Sequence, residues 1–231
     1  MLKKKVVALS LIVLVMFSLS TPAMAAKTPT FSDVTESHWA FACIESCYTK
    51  GLMQGVGGGK FDPNRLVTNA EMVQTLYNIY KDRTSDMVDP PHLNDVAEDA
   101  WYHDAAYWAV RSGIANYSSR PGNPVAGETD YMIYSFVPSL TIGGRMTAVA
   151  YLGRLADALG VTLPKTVAAV TFPDAEFYYL EDSDGNPILS ERRNLAPSVT
   201  AYIYALQRAG IVSGYPDGTF RPNYGLTRAE W

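Results

Sequence analysis

Apolar residues recur at helical spacing in two stretches of the chain that can be superimposed on each other. After Trp39 and Trp101, small or apolar residues follow at steps of four, five and eight: Cys43, Ile44 and Cys47, then Ala105, Ala106 and Ala109. Such steps bring side chains to one face of an α-helix. Gly51 and Gly113 stand at the same distance from each Trp, and glycine is suited to end a helix. The pattern predicts two amphipathic helices, with both cysteines on a core face.

A motif ahead of each helix and a turn behind it mark a unit that occurs three times. Each unit has an aspartate two residues after an apolar residue, at Asp33, Asp95 and Asp174. In the first and third units a turn rich in glycine and proline follows, Gly55–Asn64 and Gly214–Asn223, and this composition is typical of tight turns. Because a small repeated unit cannot bury its apolar face alone, we expect the three units to stack on one another.

A second helix is predicted after each turn. Thr68 with Glu71, and Thr227 with Glu230, form the Thr-x-x-Glu pattern of a capping box. In this box the hydroxyl and the carboxylate each bind a free backbone N–H at the helix start. The second unit has Gly144-Arg145-Met146-Thr147 at this place and lacks the glutamate. We therefore predict a mainly α fold built from three helix–loop–helix repeats.

The predicted boundaries are 31–80 for repeat one, 93–159 for repeat two and 172–231 for repeat three. Repeat two has an insertion at about 117–140, and Tyr131–Val137 within it is suited to a short β-hairpin. Repeat three has an insertion at about 176–193, where Asp182–Asn186 lacks the distal glutamate of a calcium loop and predicts a turn. Because repeat three stops one turn into its second helix, we expect it to be truncated, as a fragment of a longer protein.

The first 25 residues have the three parts of a secretory signal peptide. Lys3–Lys5 are basic, Val6–Leu19 carry no charge, and Ala23-Met24-Ala25 has the small-x-small pattern of a cleavage site. The apolar run is shorter than the ~20 residues that span a bilayer. We expect cleavage after Ala25, export, and no membrane association of the mature chain.

Charge and composition narrow the function further. The formal net charge is −4, and loss of the three N-terminal lysines makes it more negative, which argues against nucleic acid as a partner. Cys43 and Cys47 have no further Cys or nearby His to complete a metal site. The sequence also lacks the serine-hydrolase and zinc-hydrolase motifs. We predict a protein that is not an enzyme and needs no cofactor or metal.

Three segments together resemble the S-layer homology family: His38-Trp39-Ala40, Gly214–Phe220 and Thr227–Glu230. The family pattern runs Phe-x-Asp, His-Trp-Ala, Gly-Tyr-x-Asp-Gly-Thr-Phe and Thr-Arg-Ala-Glu. The resemblance extends over three divergent tandem repeats, from residue 30 onward except for the insertions. It implies a pseudo-threefold helical bundle at the cell surface, in the wall or S-layer, that binds a secondary cell-wall polysaccharide, often a pyruvylated one.

The family also implies where such a ligand binds. Its Thr-Arg-Ala-Glu arginine contacts the acidic sugar in grooves between repeats, and a helix start with an adjacent arginine suits a carboxylate. Repeat one departs from the pattern, because Asn69 stands in the arginine position. The expected ligand-binding residues are Arg228, Arg145, Asn69, Gly214, Tyr215, Trp39 and Trp101.

The expected function is non-covalent anchoring of an exported protein to the bacterial wall. The ligand would be an acidic, pyruvylated secondary cell-wall polysaccharide or a peptidoglycan-linked glycan. One alternative is a protein-interaction module that self-assembles in an S-layer with degenerate sugar sites, for which Tyr131–Phe136 would supply an apolar patch. Another is the anchor of an enzyme whose catalytic domain lies outside this chain.

Overall fold

The computed structural model describes residues 29–83, 90–121, 132–141, 144–164, 172–181 and 187–231. In chain order its elements are α1 Phe41–Thr49, α2 Asn69–Tyr80, α3 His103–Arg111, β1 Ser118–Pro121, β2 Met132–Ser135, α4 Gly144–Ala158, β3 Phe177–Glu181, β4 Pro187–Asn194 and α5 Pro197–Arg208. The described part is mainly helical, which confirms the predicted fold class. The predicted signal peptide, residues 1–25, lies outside the described residues.

Helices α1, α3 and α5 are the first helices of the three repeats, and a glycine follows the end of each. Gly51, Gly113 and Gly210 have φ angles of 70°, 69° and 71°, a left-handed conformation that glycine adopts without a Cβ clash. Trp39 and Trp101 are 71% and 63% exposed. The prediction that they begin the apolar stripe is wrong, because each helix starts only after its Trp.

An aspartate at the start of each repeat holds the turn between the two helices. Both carboxylate oxygens of Asp33 accept backbone hydrogen bonds, from Phe61 N at 2.9 Å and Asp62 N at 2.8 Å. The same bonds, 2.7 to 2.8 Å long, join Asp95 to Phe136 and Val137, and Asp174 to Phe220 and Arg221. The carboxylate thus satisfies two amides that have no helical or strand partner, while the Phe of each pair is buried.

The residue after each of these Phe residues has a backbone conformation that is uncommon outside glycine. Asp62, Val137 and Arg221 have φ angles of 59°, 58° and 57°. For a β-branched residue such as Val137 this conformation is strained, and it persists where surrounding bonds fix it. The hydrogen bond from Val137 N to Asp95, 2.7 Å long, is one such bond.

The repeats are joined through the first amides of each second helix. Such amides have no acceptor within their own helix. In repeat one, Asn69 N and Ala70 N donate to Leu140 O at 2.9 Å and Pro138 O at 3.0 Å, in the turn of repeat two. We call this contact the first seam.

The same two bonds recur at a second and a third seam. At the second seam, the Arg145 and Met146 amides donate at 3.2 and 3.1 Å to the turn of repeat three. At the third seam, the Arg228 and Ala229 amides donate at 2.9 and 3.0 Å to the turn of repeat one. Repeat three therefore returns to repeat one, and the contacts form a closed ring that agrees with the predicted pseudo-threefold bundle.

Each large apolar core lies between the second helix of one repeat and the first helix of the next. Helix α2 packs against α3 and α4 against α5, with Leu76 and Trp108 in the first core and Leu206 in the second. The core under α1 receives only Ala229 and Trp231 from the described part of repeat three, and these residues are not helical.

This difference in coverage corrects one prediction about the cysteines. Cys43 is exposed and Cys47 half-buried, whereas Ala105 and Ala109 at the same positions of α3 are fully buried. The assignment of Cys43 to the core is wrong, because α2 covers this face of α3 and no described helix covers α1 in the same way.

Both insertions contain an antiparallel hairpin. In repeat two, β1 pairs with β2, with Ser118 opposite Ser135. The short hairpin predicted in this insertion is confirmed, but Met132–Ser135 supplies only its second strand, and Tyr131 lies outside the described residues. In repeat three, β3 pairs with β4, with an irregularity between Tyr179 and Glu181. The sequence analysis does not predict this second hairpin, because charged residues interrupt the apolar alternation of its strands. The turn predicted at 182–186 lies outside the described residues.

Gly153 in α4 lies directly beneath the ring of Tyr202 in α5. A Cβ atom at residue 153 would approach the Tyr202 ring carbons to 2.2 Å. We expect Gly153→Ala to lower the free energy of unfolding by about 1–3 kcal/mol through overpacking, measured by urea denaturation. In a Tyr202→Ala background, which removes the ring atoms that would clash, the substitution should be neutral or stabilising, because alanine favours a helix by about 1 kcal/mol over glycine. An equal cost in both backgrounds would contradict this packing.

Candidate functional site

The third seam carries a groove to which all three repeats contribute. Its volume is about 450 Å³. Repeat one supplies the segment 52–56 and the exposed side of α2, repeat two supplies Trp101, and repeat three supplies Arg228. The ring closure therefore brings together Arg228 and Trp101, two residues that the sequence predicts to bind ligand.

Arg228 is held firmly in the wall of this groove. It is only 4% exposed. Its Nε donates to Phe61 O at 2.9 Å, and Nη2 donates to Gln54 O at 2.7 Å. The guanidinium also lies over the Phe61 ring, 4.6 Å from the centroid, and Nη1 pairs with Glu71. Arg228 thus joins repeat three to repeat one in addition to lining the groove.

Glu71 connects this arginine to the helix cap. The Thr68 hydroxyl accepts from Glu71 N, and Glu71 accepts from Thr68 N at 3.0 Å, so α2 has a complete capping box. Arg65 binds the same carboxylate through two N–H groups, at 2.7 and 3.2 Å. Burial alone would raise the pKa of Glu71, but the hydrogen bonds from Arg65 and Thr68 and the charge of Arg228 lower it below the usual value.

Arg145 occupies the arginine position at the second seam, in a different electrostatic setting. Its Nε donates to Phe220 O at 2.9 Å and its Nη2 to Ser213 O at 2.8 Å. The guanidinium lies 4.8 Å from the centroid of Tyr215 and 4.7 Å from that of Phe220. Within the described residues these bonds go to backbone carbonyls and not to a carboxylate. The half-exposed charge of Arg145 therefore remains available to an anion.

Asn69 occupies the same position at the first seam and is buried, with 3% exposure. Its Nδ2 donates to Phe136 O at 2.9 Å and to Val137 O at 3.3 Å. Its Oδ1 accepts from the Tyr151 hydroxyl. Asn69 therefore joins repeats one and two as Arg228 joins three and one, but without a charge.

The remaining predicted residues lie at different places. Gly214 and Tyr215 are in the turn that Arg145 contacts. The Arg221 guanidinium also lies over the Tyr215 ring, 4.1 Å from its centroid. Trp39 stacks on His38, with ring centroids 5.7 Å apart, and does not line the groove at the third seam.

The second predicted capping pair lies at the end of repeat three. The Glu230 carboxylate accepts from Thr227 N at 2.8 Å and from the Thr227 hydroxyl at 2.9 Å. These residues form a turn and not a helix.

Sequence reasoning missed the groups that hold the arginines in place. The carbonyls of Phe61 and Gln54 bind Arg228 from a turn in another repeat, and Tyr151 binds Asn69 across the first seam. The sequence carries a signal for part of this arrangement, since a Phe recurs at the turn in every repeat. Which arginine or asparagine binds which Phe carbonyl depends on the closed ring of repeats and cannot be read from a single repeat.

Two properties of the described residues bear on the kind of site that is present. No group of three or more His, Cys, Asp or Glu side chains is arranged there to hold a metal ion. None of the described helices is long and apolar enough to span a membrane. Fold and groove together define the class: a ring of helical repeats with a polar and aromatic groove at its third seam.

Comparison with known proteins finds a family match in two regions of the chain. Residues 30–73 and 195–230 match the S-layer homology domain. An amylopullulanase of Thermoanaerobacterium thermosulfurigenes is 28% identical over 207 residues, 87% of this chain but 9% of that protein. A surface-layer 125 kDa protein of Lysinibacillus sphaericus is 30% identical over 92 residues, 40% of this chain and 7% of that protein. A cell surface protein of Thermoanaerobacter kivui is 59% identical over 34 residues, 15% of this chain and 4% of that protein.

The match confirms the predicted S-layer homology segments in these two regions of the chain. S-layer homology domains are non-catalytic anchoring modules that bind cell-wall polymers. The protein is exported and located at the cell surface, in association with the wall. The chain spans only a small part of the length of each relative, so the activities of those whole proteins are not assigned to this chain.

We expect Glu71→Gln to destabilise the chain by about 3–5 kcal/mol at neutral pH, because it leaves the buried Arg228 without its ionic partner. The pKa of Glu71 is lowered in the folded state. The stabilisation that the Glu71 carboxylate gives the fold is therefore complete above the unfolded pKa of about 4.3, and it is lost as the pH falls through the folded pKa. The difference in free energy of unfolding between wild type and variant, measured by urea denaturation, should therefore narrow below about pH 4.

The matched control is Glu36→Gln, since Glu36 is exposed and lies outside the seam. This control should differ little from wild type throughout the pH range. A Glu71→Gln chain as stable as wild type at pH 7 would show that the ion pair does not hold the third seam.

Proposed function

We propose that this chain anchors an exported protein to the bacterial wall by binding an acidic secondary cell-wall polysaccharide, with a pyruvylated sugar as the recognised group. The observation that carries the proposal is the groove at the third seam, where Arg228 and Trp101 from different repeats line one cavity of about 450 Å³. A cation beside an exposed indole suits an acidic sugar, since the guanidinium binds a carboxylate and the ring covers an apolar sugar face.

The electrostatic setting supports an anionic ligand held at a few points. The chain as a whole is acidic, so its overall field repels a polyanion and binding requires local cations. Arg228 shares Glu71 with Arg65, whereas Arg145 at the second seam bonds to carbonyls. We propose Arg145, with Tyr215 beside it, as the second contact for the acidic polymer.

We further propose that the chain has no catalytic activity of its own. The described residues offer exposed aromatic rings, carbonyl-bound guanidinium groups and one carboxylate that is engaged by two arginines. Each of these groups suits binding, and the pKa of the carboxylate is lowered, which keeps it ionised and unsuited to act as a general acid at neutral pH.

The mature protein should sediment with purified wall sacculi, and chemical removal of the acidic polymer from the sacculi should abolish sedimentation. Retention on stripped sacculi would indicate peptidoglycan as the ligand and would contradict the proposal. Concentration-dependent oligomers without retention on intact sacculi would instead favour a module for surface-layer assembly.

Single substitutions locate the binding groups. Trp101→Ala and Arg145→Ala should each weaken retention about tenfold, equivalent to about 1.4 kcal/mol, because each removes one proposed ligand contact. Tyr117→Ala is the matched control, since Tyr117 is 41% exposed and contacts Tyr134 edge-to-face, away from the groove. Arg228→Ala should weaken retention more than Asn69→Ala. Equal retention of the Tyr117 variant and the two ligand-contact variants would contradict the groove assignment.

A further inference from the structure

The three seams place the same helix positions against the same turn carbonyls, so their side chains can be compared directly. The side chain at the matching position of each seam reaches the carbonyl of the buried Phe in the next repeat: Arg228 reaches Phe61, Arg145 reaches Phe220, and Asn69 reaches Phe136. The two arginines also reach a carbonyl several residues before that Phe, that of Gln54 or Ser213. Asn69 is shorter, and its second acceptor is the carbonyl of the adjacent Val137.

Tyr151 occupies the space that an arginine would need at the first seam. It is six residues after Arg145 in α4, as Thr75 is six residues after Asn69 in α2. Thr75 is small and lines the open groove at the third seam. Tyr151 is instead 5% exposed and donates its hydroxyl to Asn69 Oδ1. At the first seam the Tyr151 ring therefore fills the volume that, at the third seam, remains open beside Arg228.

The charged partner is missing from the first seam as well. Glu71 pairs with Arg228 at the third seam, and the residue at the same position of α4 is Thr147. The pair of Asn69 with Tyr151 is neutral, and both residues are at least nine-tenths buried. Every polar atom of the Asn69 side chain has a partner in the protein, so an entering anion would have to break existing bonds.

We infer that the Asn69–Tyr151 pair closes the first seam to the acidic glycan, which confines wall binding to the seams that carry Arg228 and Arg145. This inference rests on the proposed function, because it concerns which copies of the site remain open. The chain would then contact its polymer at two seams of the ring and use the first seam, at Asn69, purely as a structural joint.

The test is to open the first seam and look for a gain of binding. The triple variant Asn69→Arg/Thr147→Glu/Tyr151→Thr recreates the residue set of the third seam. It is placed in a Trp101→Ala/Arg145→Ala background, whose retention on sacculi is weakened. The opened chain should regain about tenfold in retention, and the gain should disappear on sacculi stripped of acidic polymer. A folded opened chain, judged by circular dichroism and melting, that gains nothing would overturn the inference.

Tyr151→Phe provides a second arm that does not depend on the triple variant. It keeps the ring and removes the hydroxyl that Asn69 accepts from, so the melting temperature should fall. Retention of the single variant on intact sacculi should stay within twofold of wild type, because a closed seam contributes no binding. A tenfold loss of retention in a folded Tyr151→Phe chain would show that the first seam binds ligand and would overturn the inference.

The proposed function and the closure of the first seam can fail separately. If the wild-type chain does not bind the acidic polymer at all, the proposed function and the closure of the first seam both fall. If the wild type binds and the opened chain shows no gain, only the closure falls.

Discussion

At each seam, two backbone amides depend on another repeat for their acceptors. In isolation, a helix leaves these amides without partners, and burying an unpaired amide costs about 1–3 kcal/mol. Asn69 and Ala70 find their acceptors in repeat two, and Arg228 and Ala229 find theirs in repeat one. No repeat therefore completes its own backbone hydrogen bonding, and the ring is required by the same chemistry that forms each helix.

This constraint fixes where a ligand groove can form and leaves its chemistry open. The first side chain of each second helix always faces the turn of the next repeat. With arginine and a facing carboxylate, as at Arg228 and Glu71, the seam holds a buried ion pair beside an open groove. With arginine and carbonyls alone, as at Arg145, it keeps an accessible charge. With Asn69 and Tyr151 it becomes a neutral joint. One backbone frame thus supports three electrostatic outcomes.

Features with local causes were predictable from the sequence. The helices follow from apolar spacing, their ends follow from glycines such as Gly51, and the cap of α2 follows from Thr68 and Glu71 lying three residues apart. The exposure of Cys43 was not predictable from the repeat alignment, because it depends on which helix covers α1. The resemblance to S-layer homology domains came from motifs, and the comparisons confirmed it for residues 30–73 and 195–230.

The arrangement of the candidate site was less predictable because its contacts join distant parts of the chain. Arg228 binds the carbonyl of Phe61, 167 residues earlier, and Tyr151 binds Asn69, 82 residues earlier. Periodicity within a repeat carries no information about such partners. The resemblance pointed to positions such as Arg228 that lie at the seams, but burial of Arg228 and the filling of the first seam appear only when the ring is assembled.

Residue-resolved amide hydrogen exchange tests the ring most directly. The amides of Asn69, Ala70, Arg145 and Met146 stand at helix starts, and those of Arg228 and Ala229 stand in a turn; amides without acceptors exchange quickly at both kinds of place. The account predicts slow exchange at all six, comparable to amides in the middle of α2 and α4, because each has an acceptor in another repeat. Fast exchange at the pair of amides of any one seam would show that the ring is open there and would contradict the account.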